Sequence, residues 1–256
     1  MPNPNFIALQ TIVIKEISRF MRVWIQTLLP PGITTLLYFL IFGHVIGNRI
    51  GVMNDIPYIE YIAPGLMMMN VISNSYANTS TSFFQAKFFR SIEELLASPV
   101  SNNIILAGFI IGGVMRGLAV GSVVTIIALC FTKIHIMHPF LTVLTMLLTS
   151  ALFSLAGLIN AIFAKKFDDI SFIPTFILTP LTYLGGVFYS VQLLPNIWIT
   201  LSMFNPIVYF VSLFRYSMLG TSDVPIYTAV WVLISATIIL YAIAWLLIHK
   251  GVGIKT

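Results

Sequence analysis

The sequence predicts an all-α, polytopic membrane protein with six transmembrane helices, and two observations carry that expectation. Of its 256 residues, 58% are hydrophobic and 8% charged, against about 25% charged in soluble domains. Six stretches, 24–46, 59–80, 104–131, 140–163, 171–189 and 227–248, are apolar and near the roughly 20 residues that cross ~30 Å of hydrocarbon as a helix. Little polar chain is left between them. Residues 1–256 therefore read as a single membrane domain, and chemistry that needs a large soluble fold is expected on another chain.

The first apolar stretch is of spanning length and follows a basic segment, so it reads as a retained span and not as a cleaved signal. Within that segment, 1–23, Thr11, Lys15, Ser18, Arg19 and Arg22 recur at helical spacing, while Phe6, Leu9, Val13, Ile17 and Phe20 fill the other face. The pattern predicts an interfacial amphipathic helix, either an anchor for the first span or a contact for a partner.

Between the second and third stretches lies FFQAKFFRSIEELLASPV, beginning at Phe83. Phe84, Phe88, Ile92 and Leu95 form one stripe and Lys87, Ser91, Glu94 and Ser98 another, and Pro99 prevents continuation. A two-faced helix over 83–98 suits docking to a soluble partner; a helix lying on the lipid surface is the alternative. After the fifth stretch, 191–220 is apolar but cut by Pro195 and by the Asn205–Pro206 pair into pieces too short to span comfortably. Two short helices dipping into the outer leaflet are expected there.

Lys and Arg concentrate beside loops retained in the cytoplasm. Lys15, Arg19, Arg22, Lys87, Arg90, Lys165, Lys166, Lys250 and Lys255 flank alternate connections, and the other side holds Arg49, Lys133 and Arg215. Both termini are therefore expected in the cytoplasm. The net charge of +5 reads as topology, with no nucleic-acid partner. Cys130 is the sole cysteine, which excludes an internal disulfide and a cysteine-rich site; helix packing is its expected role.

Catalytic patterns are missing. No glycine-rich string ends in Lys and Ser or Thr to cradle a phosphate. His44, His135, His138 and His249 sit near span ends without partners at ligand spacing. Asp168 and Asp169, about 100° apart on a helix, share a proton poorly and read as the cap of the fifth span. The pairs Gly112, Gly113 and Gly185, Gly186 read as close-packing positions within apolar helices. Arg116 stands apart, near the middle of the third span, where a charge marks either function or a structural pairing with a carbonyl or with Glu60. A lone central Arg without a central acid argues for an external energy source rather than ion coupling.

These residues resemble those of the ABC-2 type permeases, the membrane subunits of a class of ATP-binding-cassette exporters. The resemblance covers essentially the whole chain. Its strongest part is FDDISFIPTFILTPLTYLGGVFYS from Phe167, with Leu194, Pro195, NPIVYF from Asn205 and then Arg215; Pro180, Gly185, Gly186, Pro195, Asn205, Pro206 and Arg215 match the C-terminal signature of the family. Arg90, Glu93, Leu95 and Pro99 match its coupling helix, so Lys87, Arg90, Glu93, Glu94, Leu95 and Pro99 are expected at an ATPase contact. WIQTLLPPGITTLLYFLIFG from Trp24 matches the first span. The resemblance implies six spans per subunit, an N-terminal interfacial helix, re-entrant helices over 191–220, and a homodimer in a bacterial inner membrane. It also implies two copies of a separate ATPase, which would carry the ATP and Mg; this chain would bind no cofactor and catalyse nothing itself. Family substrates include glycolipids and drug-like amphiphiles, and Arg116 and Glu60 are the pathway candidates. An ion-coupled carrier is the alternative.

Overall fold

A computed structural model of the chain describes residues 4–134 and 136–253, apart from the side chains of Pro4, His44 and Asn48. His135 and Lys255 lie outside the described residues, as does the His44 side chain. Helix α1 covers Pro4–Arg22, and α2, Trp24–Tyr38, runs on as a π-helix over Phe39–Ile46 into the single turn α3, Gly47–Ile50. Two-residue strands β1 (Val52–Met53) and β2 (Ile56–Pro57) pair antiparallel. Asn54 and Asp55 between them both have positive φ, which the tightest hairpin turns require and these residue types tolerate. This hairpin is an addition to the all-α expectation.

The long helix α4, Tyr58–Phe88, is followed by short α5, Ser91–Ala97, then α6, Asn102–Phe131, and α7, Pro139–Phe163. Next come α8, Phe167–Ile173, a π-helical turn at Pro174–Leu178, and α9, Thr179–Tyr183. After a 3-10 turn at Val191–Leu193 the chain forms α10, Asn196–Met203, and α11, Pro206–Leu219, and ends in α12, Ile226–Lys250.

Among the described residues four helices, at Trp24–Gly43, Asn102–Phe131, Pro139–Phe163 and Ile226–Lys250, are long and apolar enough to cross a membrane, and the pair α10 and α11, bent by 90°, would be a fifth if counted as one span. The second expected span, 59–80, lies within α4, which is 31 residues long but carries Asn70, Asn74, Asn78, Ser75, Thr79 and Ser80. The fifth, expected over 171–189, starts earlier and stops at Tyr183. The turn beyond it holds Gly185 and Gly186, which therefore sit outside any helix; Gly186 has φ +72°.

Helix α4 is the axis of the bundle, packed on α6, α7 and α11. Glycines set the distances. A Cβ on Gly113 would run into Ser154 of α7 and Thr79 of α4, one on Gly117 into Ser75, and one on Gly157 into the Tyr76 carbonyl oxygen. Small residues are what allow helices this approach in lipid, where apolar surface alone does not drive them together. On another face of α6, Gly108 and Gly112 receive Ile12 and Glu16 of α1, so α1 packs against the first half of α6. Ile12, Glu16 and Phe20 are its buried residues, whereas Phe6, expected on the apolar face, is 64% exposed. Cys130, expected to pack, is exposed.

The bundle has two distinct ends. At one, Lys87 Nζ donates to the carbonyl oxygens of Ile162 (2.6 Å) and Ala164 (2.8 Å) beyond α4, Phe84 meets Phe167, and Asn102 meets His249. Here the Lys165 and Lys166 amides both donate to Asp169, which holds its carboxyl below the usual carboxylate range and closes the start of α8. At the other end, the Met137 and His138 amides donate to the Met218 and Ser217 carbonyls at the close of α11, near the starts of α7 and α12.

Replacing Gly157 by Ala places a methyl group against the backbone of α4, which cannot rotate away, and is expected to cost about 1–3 kcal/mol. Gly32→Ala meets only Ile127 Cδ1 at 3.4 Å and Val123 Cγ1 at 3.5 Å and should gain up to about 1 kcal/mol of helix propensity. Denaturant unfolding in detergent distinguishes them, and equal stabilities would refute the close α4–α7 contact.

Candidate functional site

Four polar side chains of α4 stand one turn apart, and each bonds another part of the bundle. Residues four apart share a helix face, so Asn70, Asn74, Asn78 and Ser82 make a ladder. Asn70 donates to Thr35 Oγ1 of α2 at 3.2 Å. Asn74 accepts from Arg116 Nη2 of α6 at 3.3 Å. Asn78 accepts from Arg19 Nη2 of α1 through both its side-chain oxygen (2.9 Å) and its carbonyl (3.2 Å). Ser82 donates to Glu16 Oε1 of α1 at 2.6 Å. Glu16 is 1% exposed and its other oxygen pairs with Arg19 at 3.2 Å.

The ladder corrects the expected partner of Arg116. Glu60 is in the first turn of α4, fourteen residues before Asn74, or ~21 Å along the helix at 1.5 Å per residue. Arg116 is held by Asn74, and Glu60 is not brought to it. Sequence reasoning placed Arg19 on a solvated face and passed over Glu16; a lone acid within a basic amphipathic segment was the available signal.

At the end of the ladder the expected continuous helix over 83–98 is broken. Helix α4 runs to Phe88, Arg90 takes the left-handed conformation with φ 60°, and α5 restarts at Ser91. Lys87 is half-buried and bonded to the carbonyls at the end of α7. Arg90, Glu93, Glu94 and Pro99 are exposed, Leu95 is half-buried and Ile92 is buried. Beside them a groove of about 490 Å³ is lined by Phe84, Phe88, Phe163, Lys87, Arg90 and Lys165 among others.

At the opposite end the C-terminal motif assembles around Arg215, which lies in α11, within the segment expected to form short helices, and is 1% exposed. Its Nη1 pairs with Asp223 Oδ2 at 3.2 Å, its Nη2 donates to the Gly186 carbonyl at 2.5 Å, and its Cζ lies 4.0 Å from the centre of the Tyr61 ring. Asp223 also accepts from Tyr61 Oη at 3.1 Å, Ser190 Oγ at 2.6 Å and the Val191 amide at 3.3 Å. Gly186 serves by its positive φ, which turns the carbonyl inward; Gly185 faces Ile207, where a Cβ would come within 2.7 Å. Asn205 caps α11 by accepting from the Ile207 amide at 3.0 Å and donating to the Leu181 carbonyl at 2.6 Å. Pro206 follows at the first helical position, where its missing N–H is harmless. Pro195 stands one place earlier relative to its helix, at the N-cap of α10. Asp223 and Tyr61 were not anticipated, although Asp223 is the only acid after Asp169.

Both buried acids are thus committed to arginines. Among the described residues no three His, Cys, Asp or Glu side chains come together as a metal site. The arrangement offers polar groups inside an apolar bundle, a short acidic helix at one end and a locked knot at the other.

A family model for the ABC-2 type transporter matches residues 7–219. The chain is similar to the inner membrane transport permease YadH of Escherichia coli K12, 55% identical over 98% of both chains. It also resembles nodulation protein J of Sinorhizobium fredii, 25% identical over 72% of this chain and 70% of that one, and nodulation protein J of Rhizobium leguminosarum bv. viciae, 21% identical over 72% and 71% respectively.

Asp223→Asn should leave Arg215 charged, buried and unpaired, costing about 3–5 kcal/mol. Adding Arg215→Met to that variant removes the stranded charge and should recover part of the loss. Unfolding measurements on the single and double variants test this, and a double variant less stable than Asp223→Asn would sink the pairing argument.

Proposed function

The chain belongs to the ABC-2 type transporter family and is a membrane subunit of an ABC transporter; on that premise we propose that it exports amphiphilic substrates, glycolipid or drug-like, through a pathway formed by two copies in a bacterial inner membrane. A separate ATPase, in two copies, would bind ATP and Mg and supply the energy. The observation that carries the proposal is α4: a helix at the centre of the bundle, polar once per turn on one face, whose polar side chains bind α1, α2 and α6 and which ends in α5. A displacement of α5 by a partner would reach three other helices through that ladder.

Both termini would be cytoplasmic and the chain would cross six times, with α4 and the α8–α9 unit as the two crossings that apolarity and length alone do not identify. Burial of Arg215 supports this orientation. It removes a positive charge from the extracytoplasmic loops and leaves Arg49 and Lys133 there against Lys87, Arg90, Lys165, Lys166 and Lys250 at the other end. Helices α10 and α11 would be re-entrant: Asn205 is tied to Leu181 near the end of α9, and Met218 to Met137 before α7, so the pair enters and leaves at the same end. Exposed Glu93 and Glu94 on α5 would meet the ATPase, with Arg90, Leu95 and Pro99 beside them.

An ion-coupled carrier is the weaker reading. The chain does bury two acids, Glu16 and Asp223, contrary to the sequence-based view that none lies inside, but each is held by an arginine and neither is free to exchange an ion.

Glu93→Lys with Glu94→Lys should abolish ATPase co-purification from detergent without preventing membrane insertion, since breaking desolvated charge contacts costs about 2–5 kcal/mol. ATP-dependent transport in proteoliposomes should fall with it. Full co-purification and transport by the double variant would remove α5 from the ATPase contact.

A further inference from the structure

The cluster where α1, α4 and α6 meet carries two arginines and one carboxylate. Arg19 and Arg116 are anchored on the same face of α4, at Asn78 and Asn74, positions one turn or roughly 6 Å apart. Glu16 neutralises one of them. Around them three buried N–H groups have no acceptor among the described residues: Nε of Arg19, Nε of Arg116 and Nδ2 of Asn78, a side chain wholly removed from solvent. Every orphan atom in this cluster of three residues is a donor. Buried donors of this kind are costly to leave unmade, and a surplus positive charge among them is costlier still.

We propose that Arg19, Arg116 and Asn78 form a binding site for an oxyanion, the phosphate or carboxylate head group of an anionic amphiphile. A planar guanidinium offers paired N–H groups that match two oxygens of such a group, and Asn78 adds a neutral donor between them. The cluster has an open flank: Arg19, Arg116 and Asn74 are half-buried and Ser73 beside them is exposed. That flank lies along the ladder of α4, so a bound head group would bridge the helices that the ladder joins. Only the assignment of the head group to a transported substrate rests on the export reading; the binding itself does not.

The experiment uses the full chain purified into phosphatidylcholine nanodiscs, without ATPase. Inorganic phosphate is titrated by equilibrium binding, and in a parallel arm phosphatidic acid is added to the nanodisc while the unfolding midpoint is followed. Saturable phosphate binding should weaken at least tenfold in Arg116→Gln, much less in Arg116→Lys, and tighten severalfold in Glu16→Gln, where the competing carboxylate is gone. A purely structural role for these residues predicts no tightening in Glu16→Gln. Phosphate displaced by phosphatidic acid assigns the site to the head group shared by both; a response to the lipid alone, with the same order of variants, assigns it to a membrane-borne anion. No saturable response to either probe, or one unchanged in Arg116→Gln and Glu16→Gln, overturns the proposal. Transport assayed separately in proteoliposomes shows whether the export reading stands or falls on its own.

Discussion

A guanidinium buried at 1% exposure needs a counter-charge and acceptors close by, and Arg215 draws its partners from three separate parts of the chain. Its carboxylate comes from the loop before α12, its carbonyl from the turn after α9, and its aromatic face from the first turn of α4. Asp223 in turn gathers Ser190 and the Val191 amide. Removing either charged partner strands the other in a medium where an unpaired ion costs several kcal/mol, so these segments are fixed together. The 90° bend between α10 and α11 falls at Phe204 and Asn205, where α10 ends and the Asn205 cap starts α11 afresh.

Between the charged ends the bundle depends on small residues. Gly113, Gly117 and Gly157 let α4, α6 and α7 approach until Ser75, Thr79 and Ser154 touch glycine backbone. Several of these hydroxyls, Ser75, Thr79, Ser150 and Ser154 among them, are buried without a conventional partner, and contact with glycine Cα–H groups is the weak interaction open to those against Gly113 and Gly117. Polar residues in α4 cost little here because they face other helices and not lipid. That is why the most central helix is also the least apolar of the long ones.

Composition made the membrane class legible, and the apolar runs at α2, α6, α7 and α12 marked themselves because each faces lipid over much of its surface. Helix boundaries governed by proline and asparagine were also readable: Asn205–Pro206 is a capped start. What stayed hidden was decided by distant partners. Arg215 counted only as a topology charge because its burial depends on Asp223 and on Tyr61, 154 positions earlier in the sequence. Glu16 looked incidental because its neighbours Ser82 and Gly112 are on other helices. The break between α4 and α5 falls on Arg90 in a left-handed conformation, and nothing in that residue type announces it. By sequence Glu60 is a candidate partner for Arg116, whereas the folded chain gives Arg116 to Asn74 and leaves Glu60 a long way off along α4.

The two buried ion pairs differ in a way that bears on movement. At the α10–α11 end, one arginine meets one carboxylate and the charges balance. At the α1 end, Glu16 pairs with Arg19 alone and Arg116 has no carboxylate partner among the described residues, so the cluster carries a surplus positive charge. A balanced knot resists rearrangement, since any motion must first separate opposite charges in a poorly solvating medium. An unbalanced cluster contains repulsion between Arg19 and Arg116 that an arriving anion, or a shift of α1 against α4, would relieve. Helix α5 hangs from the same end of α4 as this unbalanced cluster.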